Sequence, residues 1–310
     1  MARIVFLAPF AKSEISGGIK TCYRHAELLT ELGFEAAVYQ PDGAPTWFMT
    51  RARTIAQLNP VADDVLVFPE TLNGVLAELA QHPTQARKIL FCQNQYYMAM
   101  NQIPARDLRG MGFTHFAASS IAARDFLGSV LGIKDAGLIP HYIDAGIFRP
   151  REKIMQIALV PRKMPREASL VSHIFRAKYR DLSRVPWQVI ENKNERETAD
   201  ILGRSHIFLS LSFFESFGLV PVEAMASGCI VAGFDGYGGR EYACPENGLW
   251  LPPDHAEETA DAIEKIITGI QENTSWISGM REAGRQTAAR YGKDRTTDAL
   301  MAFYGPLLKR

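Results

Sequence analysis

Two glutamates, Glu215 and Glu223, are the residues of this sequence whose type and spacing best suit chemistry. Seven residues separate them, in a segment where a strand ends, a polar turn follows and a helix begins near Leu219. Both carboxylates can face one crevice, and each can accept two hydrogen bonds from vicinal hydroxyls of a ribose or a sugar ring. Backbone N–H groups of Phe217, Gly218 and Leu219 can hold a diphosphate beside them. The pattern suits a nucleotide sugar.

Neither this glutamate pair nor a glycine pair near the N-terminus decides the function by itself. An ordinary acidic helix start has the same spacing, with Glu215 favouring the helix dipole and Glu223 solvated. Gly17 and Gly18 open a helix after the first predicted strand, where glycine lets a backbone approach a phosphate closely. A turn without function fits these glycines equally well, because no complete phosphate-loop or dinucleotide-binding pattern surrounds them.

The elements that must position these residues follow an α/β pattern. Short β-branched runs alternate with amphipathic stretches, which is typical of parallel strands covered by helices. We predict strands at residues 3–8, 34–39, 65–68, 89–92, 114–118, 155–160, 187–190, 207–211, 230–232 and 248–251. We predict helices at residues 17–32, 72–80, 120–131, 256–270, 276–289 and 293–308. Ligands of such sheets bind beyond the carboxyl ends of the strands, where the candidate residues lie.

Length and a proline- and glycine-containing segment predict two domains. The chain has 310 residues, which exceeds one ordinary α/β core. Turn-forming residues cluster between the two strand series, so we place the linker at residues 140–150. We predict an N-terminal domain of residues 1–145 and a C-terminal domain of residues 146–292. A C-terminal helix, residues 293–310, can pack back on the N-terminal domain.

Composition excludes several classes of partner. The 34 basic and 34 acidic residues leave no excess charge to attract nucleic acid. The four cysteines are scattered and form no C-x-x-C pair, which indicates reduced thiols rather than a zinc site or a disulfide framework. We therefore expect no metal and no cofactor other than the substrates.

The N-terminus and one apolar cluster bear on where the protein acts. The apolar run at residues 4–8 meets Pro9 too early for a signal peptide or a membrane span, which predicts a cytoplasmic protein. Residues 47–49 form an apolar cluster flanked by Arg51 and Arg53. This cluster fits either a buried plug within a loop or peripheral contact with the inner face of the membrane.

The segment from Glu215 to Gly228 resembles the most specific signature of the group 1 retaining glycosyltransferases of GT-B type. Its two glutamates, Phe217-Gly218, Pro221 and the run from Glu223 to Ala226 agree with that signature. Three further pieces agree in order and placement, namely Gly17-Gly18, residues 139–150 and residues 247–251. The resemblance implies a short bacterial member with an α/β fold, in which two Rossmann-like doubly wound domains face each other across a cleft.

The resemblance also implies a role for each candidate residue. Glu223 binds the ribose hydroxyls, and Glu215 binds the hydroxyls of the transferred sugar. The backbone from Phe217 to Leu219 holds the phosphates or the sugar of the donor. Arg162 and Lys163 resemble the basic pair that neutralises the leaving diphosphate, which a guanidinium and an ammonium can do by stabilising the developing charge.

The sequence departs from the family pattern at two places. The family spaces its arginine and lysine by several residues, whereas Arg162 and Lys163 are adjacent and Arg166 follows, so the second cation is either Lys163 or Arg166. Many members carry a histidine after the strand that here ends at Cys92, and this chain has Gln93-Asn94-Gln95 instead. Asn94 or Gln93 can donate equivalent hydrogen bonds to the sugar, but neither can act as an acid or a base.

Two histidines and one loop complete the candidates. We expect His141 to pack at the hinge rather than catalyse, and His25 to be a surface or hydrogen-bonded core histidine. Residues 236–240 resemble a donor-side loop in which Gly238 and Gly239 can approach a phosphate or a base. An ordinary turn after a strand fits the same loop.

The resemblance implies retaining transfer of a hexosyl or deoxyhexosyl group from a nucleotide diphosphate donor. The acceptor is a glycan, a lipid-linked or a small molecule, in bacterial surface polysaccharide or glycoconjugate synthesis. Front-face attack guided by the departing phosphate requires neither a protein nucleophile nor a metal. There are two alternatives. The first is a non-catalytic two-domain nucleotide- or sugar-binding protein, and the second is another GT-B enzyme, such as a sugar-nucleotide epimerase or a phosphorylase. The sugar, the base and the acceptor stay open, because variable loops supply those contacts.

Overall fold

Near-continuous apolar runs form two parallel sheets in the computed structural model, which describes residues 2–308. Three terminal residues lie outside the described residues. They are Met1 of the predicted domain of residues 1–145, and Lys309 and Arg310 of the predicted C-terminal segment of residues 293–310. Helices cover both faces of each sheet, so successive strand residues are buried on opposite faces. The chain divides into two units, one up to His141 together with the segment from Asp294 onwards, the other Tyr142–Lys293.

The first unit is built on a seven-stranded parallel sheet within the described residues. Its strands are β1 (Arg3–Leu7), β2 (Glu35–Tyr39), β3 (Arg53–Ile55), β4 (Val65–Pro69), β5 (Arg87–Cys92), β6 (Phe113–Ala118) and β7 (Gly137–Leu138). Its helices before the linker are α1 (Gly17–Glu31), α2 (Gly74–Gln81), α3 (Gln95–Met100), α4 (Ala105–Gly110) and α5 (Ile121–Ser129). The strand order β3-β2-β1-β4-β5-β6-β7 reverses direction between β1 and β4, which is the switch point of this sheet.

The second unit is built on a five-stranded parallel sheet, again counting described residues only. Its elements are β8 (Ile154–Leu159), α6 (Pro165–Lys178), β9 (Trp187–Val189), α7 (Glu195–Arg204), β10 (Ser205–Ser210), α8 (Leu219–Ala226), β11 (Ile230–Gly233), β12 (Gly248–Trp250), α9 (Ala256–Gln271) and α10 (Ser275–Ala289). Single turns of 3-10 helix lie at Arg180–Leu182 and Gly238–Glu241. The order β12-β11-β10-β8-β9 places the switch point between β8 and β10. The predicted α/β class with two doubly wound sheets is confirmed.

The last helix, α11 (Lys293–Leu308), begins at the end of the second unit and joins the core of the first. The Tyr304 ring lies 6.2 Å from that of Phe6 in β1. The Thr296 hydroxyl donates to the carbonyl of Pro140 at 3.0 Å. These contacts make α11 part of the first unit from Asp294 onwards.

The apolar cluster at residues 47–49 is divided between the interior and the surface. Phe48 is buried and packs edge-to-face against Tyr23, and Trp47 Nε1 donates to the carbonyl of Glu14 at 2.9 Å. Met49 is 68% exposed. The plug expectation therefore describes Phe48, and membrane contact stays a prediction. No helix within residues 2–308 combines the length and the apolar character needed to span a bilayer.

His25 is a core histidine, and neither ring nitrogen has a hydrogen-bond partner among the described residues. Its ring packs between those of Phe6 and Phe91, at centroid distances of 6.0 and 5.3 Å. Burial disfavours the imidazolium and lowers the pKa of His25 to about 3. Burial likewise lowers the pKa of His141 to about 4, although its Nδ1 lies 2.9 Å from the Thr21 hydroxyl. The expectation of a hydrogen-bonded histidine at position 25 is wrong.

We expect His25→Leu to make the protein more resistant to acid. The folded pKa lies below the ordinary value of 6.5, so the stability tied to neutral His25 is present above that value and is lost as pH falls towards about 3. The loss amounts to about 1.4 kcal/mol per pH unit below about 6. Urea unfolding of the wild type and the variant between pH 7 and 4 measures it. His173→Leu, at an exposed position, is the control; parallel pH curves for wild type and His25→Leu would contradict the assignment.

Candidate active site

The switch point of the second sheet brings together two of the predicted charged residues. Lys163 follows β8 and Glu215 follows β10, and these neighbouring parallel strands end at the same edge of the sheet. The Lys163 Nζ lies 2.7 Å from the Glu215 Oε1, with side chains 28% and 20% exposed. A half-buried carboxylate and ammonium in contact therefore occupy the place where ligands of open α/β sheets bind.

The other two predicted cations lie nearby in the chain but are not part of this contact. Arg162 precedes Lys163 and is exposed, and Arg166 is the second residue of α6 and is also exposed. Neither has an ion-pair partner in the part of the chain that the structure describes. Lys163, and not Arg166, is therefore the cation placed against Glu215.

Helix α8 carries Glu223 and begins at the backbone predicted to hold phosphates. Glu223 is 4% exposed on this helix. Gly218 is its N-cap, with a φ of 80° that favours glycine. Tyr242 holds this turn, because its hydroxyl donates to the carbonyl of Gly218 at 2.9 Å. The helix start thus presents backbone N–H groups in a fixed geometry.

The ring of Phe217 is buried beneath this surface. The ring is 2% exposed and packs against Tyr242 and Tyr291, at centroid distances of 5.2 and 4.8 Å. The aromatic cluster anchors the loop from below. Its packing explains why a large apolar residue precedes the capping glycine.

The loops after β10 and β11 are in backbone contact at this edge. The Glu215 N–H donates to the carbonyl of Gly236 at 3.0 Å, and Glu215 and Tyr237 form an isolated β-bridge. A Cβ at Gly238 would overlap the backbone of Ser216 and Glu215. Gly238 is therefore explained by loop packing, whereas the approach of Gly238 and Gly239 to a phosphate stays a prediction.

In the first unit, the structure brings Gly18 next to the polar residues that follow β5. Gly17 and Gly18 are the first residues of α1, and the Gln93 Nε2 donates to the Gly18 carbonyl at 3.3 Å. A Cβ at Gly18 would lie 3.3 Å from that nitrogen, so glycine leaves room for the glutamine. Asn94 is the N-cap of α3, and its side-chain oxygen accepts from the Tyr96 N–H at 2.9 Å. The side-chain oxygen of Asn94 therefore already accepts a hydrogen bond as a local helix cap.

Glu70 is a polar residue at the first switch point that the sequence analysis missed. It follows β4 and is 5% exposed, and its Oε2 accepts the Gln93 N–H at 3.0 Å. Burial raises the pKa of Glu70 to about 7. The position of an acidic residue directly after the apolar run at residues 65–69 is the sequence signal that would have found it. Tyr242 carried no comparable signal, because its partner Gly218 is distant in sequence.

The arrangement can bind a polyhydroxyl ligand that also carries negative charge. Glu215 can accept hydrogen bonds from hydroxyls, and Lys163 and the start of α8 favour anionic oxygens. Among residues 2–308, no group of three or more histidine, cysteine, aspartate or glutamate side chains is arranged to hold a metal ion.

Comparisons with known proteins agree on one class. Residues 185–283 match the family described as glycosyl transferases group 1. An alpha-1,6-glucosyltransferase of Actinobacillus pleuropneumoniae serotype 7 (strain AP76) is 26% identical over 277 residues, covering 84% of this chain and 83% of that protein. The fold is similar to that of sucrose-phosphate synthase from Thermosynechococcus elongatus, with a TM-score of 0.74, 15% identity and 99% of each chain covered.

A further solved structure is Anabaena HepE in complex with UDP-glucose. Its TM-score is 0.73 at 13% identity, with 99% of this chain and 100% of that chain covered. At these identities both structures show the fold alone. That fold is GT-B, so the predicted fold class is confirmed.

We expect Gly238→Ala to destabilise the second unit strongly. The added methyl group must displace the backbone of the loop that carries Glu215, because the atoms that it would overlap are backbone atoms and not the end of a flexible side chain. Overpacking of this kind costs about 3 kcal/mol. Gly279→Ala is the matched control, since a Cβ at Gly279 in α10 meets nothing within 4 Å and alanine favours a helix. Chemical denaturation of both variants measures the difference; equal stabilities would show that the loops are not closely packed.

Proposed function

We propose that the chain is a group 1 glycosyltransferase, as the family match and the GT-B fold support, and that it transfers a hexose from a nucleotide diphosphate donor with retention of configuration. The second unit binds the donor. The acceptor belongs to bacterial surface polysaccharide or glycoconjugate synthesis. The observation that carries the proposal is the contact between Lys163 and Glu215 at the switch point of the second sheet.

This contact supports a division of labour within the donor site. Lys163 and Arg162 supply positive charge for the leaving diphosphate, so that the departing phosphate is stabilised as the glycosidic bond breaks. Glu215 accepts hydrogen bonds from the hydroxyls of the transferred sugar, and Glu223 from those of the ribose. Backbone N–H groups at the start of α8 bind phosphate oxygens. We propose that this cationic set acts without a metal ion.

Two relatives support a hexose and a uridine donor. The relative with 26% identity is named as an alpha-1,6-glucosyltransferase, and the HepE structure contains UDP-glucose. We therefore propose UDP-glucose as the first donor to assay. We also propose Gly17, Gly18 and Asn94 as donor-binding residues.

We expect Glu223→Gln to weaken UDP binding and Glu215→Gln to reduce mainly turnover. Glu223 loses charge-assisted hydrogen bonds to the ribose, which corresponds to roughly a tenfold to hundredfold weaker affinity. A thermal-shift titration with UDP, GDP, dTDP, ADP and CDP in EDTA measures binding, and UDP at ~100 times its Kd adds about 2.7 kcal/mol of stability. Exposed Glu272→Gln is the control. Unchanged UDP binding and turnover in both site variants would refute the assignment.

We expect Lys163→Met to lower kcat about a hundredfold and Arg166→Met to leave it nearly unchanged. Lys163 stabilises charge that develops on the leaving group, and loss of one such donor costs about that factor. Release of UDP from UDP-glucose in EDTA measures the rate, and NMR of the product gives its anomeric configuration. Arg176→Met, exposed on α6, is the control. A larger loss in Arg166→Met would reassign the second cation, and an inverted product would end the retaining proposal.

A further inference from the structure

Three aromatic rings beside Glu215 form a continuous cluster, which we call the aromatic platform and define as Phe213, Phe214 and Tyr237. The Phe213 ring lies 6.0 Å from that of Phe214 and 5.8 Å from that of Tyr237. Phe214 and Tyr237 are 6.1 Å apart, with their planes tilted by 44°. Phe213 is half-buried and contacts the buried Phe234 at 6.1 Å. The platform is thus rooted in the core of the second unit.

The outer member of the platform faces solvent. Phe214 is 59% exposed, Tyr237 is partly exposed, and Phe234 beneath them is 1% exposed. Exposure therefore increases along the cluster from Phe234 to Phe214. Most of the surface of the Phe214 ring stays in water, so burial of this ring contributes little to the stability of the fold.

The backbone holds both outer rings in a conformation that aromatic residues avoid. Phe214 has a φ of 53° and Tyr237 a φ of 68°, both in the left-handed region. Glycine or asparagine adopts this region more easily than a bulky side chain. Tyr237 forms the bridge with Glu215, and Phe214 directly precedes that bridge. Two aromatic residues with strained backbone, one exposed and one partly exposed, indicate a role in binding at the candidate active site.

Charged groups border the platform. Glu215 is the next residue after Phe214 and contacts Lys163. On the other side, the guanidinium of Arg240 lies 5.0 Å from the centre of the Tyr237 ring and bonds to Asp235. A lipid would require apolar neighbours here, and the bordering charges are unfavourable for it. A sugar ring fits, because its C–H face packs on an aromatic face while its hydroxyls reach charged groups at the rim.

We propose that Phe214 and Tyr237 bind a sugar ring of the acceptor, so that the acceptor is a carbohydrate. This inference rests on the proposed function, in which Glu215 and Lys163 hold the donor. Phe214 is more exposed than those two half-buried side chains, which suits the substrate that arrives second and leaves as product. The C–H face of the acceptor sugar stacks on Phe214, and its hydroxyls point towards the charged rim.

The test uses Phe214→Gly, which removes the ring and also relieves the left-handed backbone. The melting temperature is expected to be equal or higher than that of the wild type, so a binding defect is separable from unfolding. The probes are the methyl α- and β-glucosides and galactosides. Their binding to the protein in the presence of UDP is measured by saturation-transfer NMR. We expect transfer to the ring C–H protons in the wild type, about tenfold weaker binding in Phe214→Gly, and recovery in Phe214→Trp.

Kinetics with UDP-glucose and the same hexosides separate acceptor from donor effects. Phe214→Gly is expected to raise the acceptor KM about tenfold. The KM for UDP-glucose, and the rate of UDP-glucose hydrolysis without acceptor, are expected to stay unchanged. Leu170→Ala, at a 51% exposed apolar position on α6, is the control. The proposal that the platform binds the acceptor is overturned by any of three results. These are an unchanged acceptor KM, a shift in the donor KM instead, or no binding of the hexosides to the UDP-loaded wild type. Failure of the wild type to bind UDP or UDP-glucose overturns the proposed function itself.

Discussion

The close approach of the two loops that follow β10 and β11 is the constraint on which the candidate site depends. A parallel sheet brings the carboxyl ends of neighbouring strands to one edge, but it does not fix how their loops fold there. In this chain the loops are fixed by backbone contact, from the Glu215 N–H to the Gly236 carbonyl at 3.0 Å. Glycine at 238 is necessary because the backbone of Ser216 occupies the place of a side chain. The position of Glu215, and therefore its contact with Lys163, follows from this packing.

The same packing explains why strain is concentrated at this edge. Phe214, next to the bridge between Glu215 and Tyr237, and Tyr237 itself have left-handed backbone, at a cost of order 1–3 kcal/mol for each residue. Buried aromatic contacts beneath the loops, such as Phe217 against Tyr291, offset that cost. The core therefore supports a surface geometry that the loop residues would not adopt alone. A site held in this way is arranged before a ligand binds, which reduces the entropy lost on binding.

The long and strongly patterned elements could be predicted from the sequence. Strands such as β1 and β8, and helices such as α9, carry apolar patterns that depend on neighbouring residues only, and their existence is confirmed. The short strands β3 and β7 and the six-residue helices α3 and α4 were missed, because so few residues give no readable period. The reason for Gly238 and the burial of the Phe217 ring depend on partners distant in sequence. Pattern reasoning therefore located the loops of the site but not the contacts that shape them.

The two switch points differ in how they treat polar groups, and the difference bears on what each unit can bind. At the second, Lys163 and Glu215 keep charged side chains partly exposed, which suits a ligand that combines phosphate with hydroxyls. At the first, Glu70 is buried with a pKa of about 7, so its carboxyl is only partly ionised at neutral pH. Its neighbours there are the amide of Gln93 and the thiol of Cys22, whose pKa burial raises to about 12. An amide and two weakly ionised groups favour neutral hydroxyls over phosphate. This division of charge supports donor binding by the second unit.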